Sequence, residues 1–410
     1  MDKVVDKFWA FKNWYLFVVL IFSGLSTEFV RGFGGTFVLF FLSLLYAIIY
    51  KINYVNKKFF AANIIWLFFS FITAFRNNEF LPLFTFEHIT ILFISFTLIY
   101  LYGKELFYLY EKSIFYLACI SLVGWSILVL APNIVWSFAY TYNMSEYMKE
   151  VYDGAGFILF NIGPSLEWGF YRNFGFCFEP GPFGQNLVLA LFFNLFRNQG
   201  NFNNKIFYVL FVALLTTLST TAYLAFAIGY LVFIYQKNQN LNRYFFVFLF
   251  ISIFAIAFFN LDFLGDKVLG QQERATVERI DELISLSKET GNLYSAARFG
   301  GFIVAYKDFI RYPLFGTGGH KFKAYGGGHV YIVNGWAQTI SWYGLFGIII
   351  LVMSLYKISL LVASIYGNNL SFVFGGIMFF SIVGFGILNQ YFMFPLILMG
   401  WFYPRKRILI

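Results

Sequence analysis

Residues 334–356 read NGWAQTISWYGLFGIIILVMSLY, 23 positions without a charge, and Lys357 closes the stretch. About 20 apolar residues in a helix cross the hydrocarbon core of a bilayer, so this stretch reads as a membrane span. The same reading, carried outward, gives eleven more spans: 14–30, 33–50, 59–75, 86–102, 113–131, 182–196, 206–220, 222–236, 244–260, 370–388 and 391–404. The pair 206–220 and 222–236 is one apolar run, too long for a single crossing. Thr216, Thr217, Ser219, Thr220 and Thr221 mark its turn. The expected fold is therefore an all-α polytopic membrane protein of about twelve transmembrane helices.

Composition agrees. Of 410 residues, 60% are hydrophobic, 12% are charged and 60 are Phe. A water-soluble chain of this size would lack the polar side chains to cover its surface. Soluble enzymes, disordered chains and nucleic-acid binders are excluded, the last because the net charge of +9 forms no basic groove. Cys119 and Cys177 are too few for a disulfide framework or a zinc site.

Charge also orients the bundle. With the N-terminus inside, the inner segments hold 16 Lys/Arg and the outer segments other than the longest loop hold 4, Arg31, Arg76, Lys149 and Arg172. Basic residues favour the cytoplasmic side, so both termini are expected there. The first apolar run has no cleavage site and reads as a span. The chain divides into spans at 1–131, an outer loop at 132–181, spans at 182–260, a larger outer loop at 261–333 and spans at 334–410. The larger loop gathers nine Lys/Arg and eight Asp/Glu, 17 of the 49 charged residues. Charge collected in one loop of a nearly charge-free protein points to chemistry there.

Within that loop, residues 271–290 have helical spacing at Val277, Ile280, Leu283, Ile284 and Ser287. Arg274 and Glu278 form an i,i+4 pair, and Gly291 is the stop. Residues 298–311 predict an amphipathic helix with an apolar stripe of Phe299, Phe302, Ile303, Tyr306, Phe309 and Ile310. Lys307, Asp308 and Arg311 fall on its opposite face, and Arg298 lies at the stripe's edge, either snorkelling or reaching an anion. Pro313 ends the helix. The turn Gly316–Thr317–Gly318–Gly319–His320 reads as a plain hinge, with a phosphate-binding backbone nest as the alternative.

The chain has three histidines. His88 reads as an interfacial polar residue. His320 and His329 lie between glycines in the long loop, where either could serve as a general base or a phosphate partner. No group of residues has metal-ligand spacing, so a metal-independent site is favoured and no cofactor is expected. The shorter loop ends in YRNFGFCFEPG (171–181), where Arg172 and Glu179 stand among aromatics. They read either as a structural pair or, for Arg172, as a bidentate anion binder.

The segment RNFGFCFEPG (172–181) resembles the Arg–Gly–aromatic–Glu–Pro signature of Wzy-type O-antigen polymerases, members of the O-antigen polymerase and ligase superfamily. RFGGFIVAYKDFIRYPLFGTG (298–318) resembles the second signature of that family, and NGWAQTISWYGLFG (334–347) the span that follows it. The resemblance covers the architecture and about 50 residues. It implies a GT-C-type glycosyltransferase with two large periplasmic loops, in the inner membrane of a bacterium. The enzyme would polymerise undecaprenyl-diphosphate-linked oligosaccharide repeat units in lipopolysaccharide O-antigen or capsule biosynthesis. Its partners would be those lipid-linked glycans, the bilayer and a chain-length regulator. Arg172 and Arg298, joined by Arg311, would hold the donor's diphosphate. His329 is the first choice of base, ahead of Glu179 and His320. The ligase branch has a His-Asn pair before its last signature span, whereas here Val333 precedes Asn334. Ligase is the second reading and a membrane transporter the third.

Overall fold

The computed structural model describes residues 11–25, 27–31, 33–144, 148–149, 154–163, 166–167, 170–237, 275–367, 370–384 and 390–403. The expected span at 244–260, the first part of the large loop and Arg274 lie outside these residues.

The described chain is overwhelmingly helical. Its helices of ten residues or more are α1 (Phe11–Ser23), α2 (Phe33–Ile49), α3 (Lys57–Asn77), α4 (Pro82–Tyr102), α5 (Leu106–Leu130), α6 (Pro132–Tyr142), α7 (Pro180–Arg197), α8 (Lys205–Thr216), α9 (Thr220–Lys237), α10 (Val277–Thr290), α11 (Gly300–Arg311), α12 (Gly335–Tyr366), α13 (Leu370–Gly384) and α14 (Met393–Phe402). Three apolar helical runs are long enough to cross a membrane: Lys57–Asn77, Pro82–Leu130 and Gly335–Tyr366. Shorter apolar helices of 10–17 residues accompany them. The run Pro82–Leu130 has 49 residues and would be roughly 73 Å long as one rod at 1.5 Å per residue, against a core of about 30 Å. It is broken at Gly103, which has φ 52, into α4 and α5.

Large apolar side chains stand outside the bundle, among them Phe60, Phe68, Phe71, Phe75, Val123 and Phe372. Water would penalise so many exposed aromatics, and lipid does not. Hydrogen bonds fix the ends of the bundle. At one end Tyr102 Oη donates to Lys12 O, and Arg197 pairs with Glu111. At the other, Trp125 Nε1 donates to Tyr171 O at 2.7 Å and Asn77 Nδ2 to Thr317 O at 3.1 Å. The first end carries Lys57, Lys58, Lys104, Arg197, Lys205 and Lys357 and is called the basic end below. The second carries the segments around 170–179 and 275–334 and is called the loop end.

The expected break in the long apolar run falls in the polar cluster, with α8 ending at Thr216, Leu218 at φ 47 and α9 starting at Thr220. At the loop end, α10 begins with the Thr276 side chain accepting from Arg279 N and stops at Gly291 in the left-handed region, φ 72. It packs through Ile280 on Ala296, Val304 and Val330, a small core outside the main one. Tyr294–Ser295 pairs in parallel with Val330–Tyr331 and closes this subdomain.

Two features of the loop end lay beyond the sequence. The stripe of α11 faces outward: Phe299, Phe302, Tyr306 and Ile310 are exposed, while Gly300, Gly301, Val304, Ala305 and Asp308 are buried. Gly300, Gly301 and Ala305 allow close approach to α12, so the small face lies inward and Asp308 with it. Asp308 accepts from Ser341 Oγ of α12 and from Tyr325 N at 2.6 Å. Burial raises its pKa above the ordinary carboxylate value, against the pull of these two bonds and the Arg311 charge.

The second is the glycine turn after Pro313, which is a splice into α12. Within α12, Gly344 has φ 58 and ψ −146, so Leu345 N and Phe346 N lose the carbonyls of Ser341 and Trp342. The turn supplies what the break removes. Leu345 N and Phe346 N donate to Pro313 O and Leu314 O at 2.8 and 3.0 Å. Thr317 N and Gly318 N donate to Ser341 O and Trp342 O at 2.7 and 2.8 Å. Thr317 N and Gly318 N are thus engaged within the protein.

Candidate anion site at the loop end

The short motif before α7 is set by Asn173, which is fully buried. Its backbone N donates to Thr216 O at 2.9 Å. Its Nδ2 donates to Thr216 Oγ1 at 2.9 Å and Ser121 Oγ at 3.2 Å, and its Oδ1 accepts from Gly175 N at 3.0 Å. Gly175 follows at φ 56, where an added Cβ would stand 2.6 Å from the Phe183 ring; only glycine fits. Phe178 N donates to Gly24 O at 3.0 Å, and the chain enters α7 at Pro180. The motif is thereby held between α1, α5, α7 and α8. Arg172 Nε donates to Thr217 O at 3.2 Å, and Glu179 is the residue that caps α7. Its carboxylate makes no capping bond to the helix, but it lies where the helix dipole favours a negative charge.

The large loop delivers Arg298 to the same place. Ala297 just before it has φ 56, a conformation that costs a non-glycine residue about 1–2 kcal/mol and that sets the direction from which Arg298 enters α11. Burial lowers the Arg298 pKa; the Glu179 carboxylate opposes the shift, and the Arg172 guanidinium adds to it. Two guanidiniums and one carboxylate, from loops more than a hundred residues apart in the chain, thus feel one another's charge.

The remaining expected site residues lie elsewhere. Arg311 is at the far end of α11, roughly 16 Å along the helix from its start, and its guanidinium stacks 5.8 Å from the Tyr325 ring centroid. It does not join Arg172 and Arg298. His329 Nδ1 is 3.0 Å from Ser287 Oγ on α10, a tie within the small outer subdomain. His320 is buried, with Nδ1 3.0 Å from Glu79 Oε2, so it fastens the spliced turn to the end of α3. His88 is buried and not interfacial: Nε2 lies 2.6 Å from Tyr343 Oη and the ring stacks on Trp66 at 4.0 Å.

Sequence reading missed several polar groups. Asn334 caps α12 with its Oδ1, accepting from Trp336 N and Ala337 N at 2.9 and 3.1 Å, while its Nδ2 is buried without a partner. Gln338 Oε1, one turn on, and Gln185 Oε1 on α7 are likewise buried without a partner. Amides inside apolar runs were the available signal, since hydrocarbon makes them costly.

Comparison with protein-family models, with curated proteins and with solved structures finds no match for this chain.

Proposed function

We propose that the chain is a polytopic membrane glycosyltransferase of GT-C type, with about twelve spans, that polymerises lipid-diphosphate-linked oligosaccharide repeat units at its loop end. The observation that carries this reading is the juxtaposition of Arg172, Glu179 and Arg298. Two guanidiniums and one carboxylate leave a net positive charge at partial burial, to which a diphosphate is complementary. The guanidinium fork matches phosphate oxygens.

In the proposed reaction the acceptor hydroxyl attacks the anomeric carbon of the donor chain. The bond between that carbon and the diphosphate oxygen breaks, and the electron pair leaves with the diphosphate. Arg172 and Arg298 stabilise the charge that develops on it, so the donor set needs no divalent cation. The hydroxyl proton goes to a base. Of the three residues named for that role, Glu179 shares the surroundings of the guanidiniums, whereas His320 and His329 are engaged with Glu79 and Ser287. Glu179 therefore takes the place that the sequence assigned first to His329. Because basic residues favour the cytoplasmic side, the charge asymmetry supports a basic end in the cytoplasm and a loop end outside. This suits a lipid-linked donor presented on the outer leaflet of a bacterial inner membrane.

The test is purified full-length protein in liposomes with undecaprenyl-diphosphate-linked repeat units, product length being read on a gel. Wild type should lengthen the glycan, with excess chelator present as well. Arg172→Lys and Arg298→Lys should each lose at least about 100-fold in rate, the scale of removing one transition-state donor. Glu179→Gln should abolish elongation and His329→Ala should retain it. Elongation by either Lys variant at the wild-type rate, or dependence on added magnesium, overturns the proposal.

A further inference from the structure

A cleft of about 580 Å³ opens at the basic end between α3, α4, α12 and α14, far from the arginine site. Its walls are aliphatic and aromatic. Lys58 and Lys357 stand at one end of it, and Trp66 and His88 close the other. From position 58 to position 66 of α3 is roughly 12 Å, close to half of a hydrocarbon core of about 30 Å. The rim residues Ile65 and Leu360 are about half exposed on helices whose outer faces carry apolar side chains, so the cleft opens sideways to lipid and not to water.

The cationic end is built. Lys357 Nζ lies 3.4 Å from the Trp401 ring centroid, and the indole is held by a 2.7 Å bond from Nε1 to Ser354 Oγ. Lys58 Nζ donates to Tyr403 O at 3.5 Å, which uses one of its three donors. Tryptophan and lysine at one depth mark the level of lipid headgroups. A dry slot one leaflet deep, with two ammonium groups at headgroup level, is complementary to a lipid with a phosphate head and a hydrocarbon chain.

We infer that this cleft holds an anionic phospholipid of the cytoplasmic leaflet, its phosphate against Lys58 and Lys357 and one acyl chain reaching Trp66 and His88. The inference goes beyond the proposed transfer reaction and shares with it only the orientation of the bundle. The lipid wedges α3 and α14 apart at the basic end, while the other ends of α3 and α12 grip the spliced turn through Asn77 and Ser341. The occupant would thus brace the helices that carry that turn.

The experiment is native mass spectrometry of the full-length protein exchanged into equimolar phosphatidylglycerol and phosphatidylcholine. It needs no glycan, so its result stands apart from the transfer assay. Wild type should retain one phosphatidylglycerol per chain in at least tenfold preference over phosphatidylcholine. Lys58→Ala with Lys357→Ala should weaken phosphatidylglycerol binding about 30-fold, the expected effect of two lysines at a membrane surface. Lys57→Ala, on the same end but outside the cleft, should leave binding unchanged. Ala62→Trp, which fills the slot, should abolish retention in protein that remains monodisperse. Should Ala62→Trp fail to fold, Leu361→Phe gives the same reading by narrowing the slot. Equal retention of the two lipids, unchanged binding in the double lysine variant, or displacement of the phospholipid by equimolar undecaprenyl phosphate overturns the inference.

Discussion

Two clusters of charge sit at opposite ends of the same bundle, and they are built differently. At the basic end, Glu111 has a side chain with 0% exposure and receives Arg197 as a fork, Nε to Oε2 at 3.0 Å and Nη2 to Oε1 at 2.7 Å. Asn194 Nδ2 adds a third bond at 2.7 Å. Each carboxylate oxygen is met, and the pair ties α5 to α7. At the loop end a second guanidinium is pressed toward Arg298, whose charged form burial disfavours. The first arrangement lowers the energy of the fold as it stands. In the second, Glu179 offsets part of the positive charge, and on the proposed function a bound anion meets the rest. An ion pair that meets every carboxylate oxygen holds a structure together; two guanidiniums sharing the field of one carboxylate leave positive charge that suits an anionic ligand.

The sharpest way to break this contrast is to remove one member of each cluster and measure unfolding in detergent. Glu111→Ala strands a half-buried guanidinium and should cost about 3–5 kcal/mol. Arg298→Ala removes a charge that burial opposes and should leave the midpoint unchanged or raised. Equal destabilisation by both would erase the distinction.

The spliced turn predicts the next effect. A Cβ on Gly344 would stand 2.6 Å from Gly316 N and from Pro313 O, and its φ is positive. Gly344→Ala should cost about 1–3 kcal/mol and increase protease cleavage within 313–319, both visible without any substrate.

A comparable effect belongs to Asp308, which pins α11 to α12. Asp308→Ala leaves Ser341 Oγ and Tyr325 N without their acceptor and should cost about 1–3 kcal/mol. Its pKa is raised in the folded state from an ordinary value of 3.8. The carboxyl therefore supports the fold fully below 3.8, and that support is lost as pH rises through the raised value. Asp308→Asn, which cannot ionise, should gain in melting temperature relative to wild type as pH climbs through the same window. A difference that is flat with pH would remove the ionisation from the account.

The smallest effect is expected at His329. Its bond to Ser287 is partly solvated, so His329→Ala should cost about 1 kcal/mol or less, seen as faster hydrogen exchange in α10 with the rest of the bundle unchanged.

Much of the helical layout was legible. Hydropathy located α3, α4, α5 and α12 to within a few residues at most boundaries, because the absence of charge over about 20 residues is a local property. The exceptions are the start of α5, at Leu106 ahead of Lys112, and the far end of α12, which runs on to Tyr366 past Lys357; at both the charge suggested a boundary. The Gly291 stop and the polar break around Thr217 were also readable, since caps and turns depend on neighbouring residues. The facing of α11 was not readable. Which face meets a neighbour depends on the close approach of Gly300, Gly301 and Ala305 to α12, a contact between separate segments.

The sequence by itself determined that the chain is helical and apolar enough for a bilayer, where its charges gather and which two arginines stand among aromatics. Only the tertiary structure brought Arg172 to Arg298, passed the 313–318 turn into the break of α12, joined Glu111 to Arg197 and hollowed a cleft beneath His88. The physical reason is the range of the forces involved. Burial in lipid and helix propensity sum over adjacent residues and can be read along the chain. Ion pairing, hydrogen-bond splicing and cavity shape depend on distances between segments far apart in sequence, which packing alone sets.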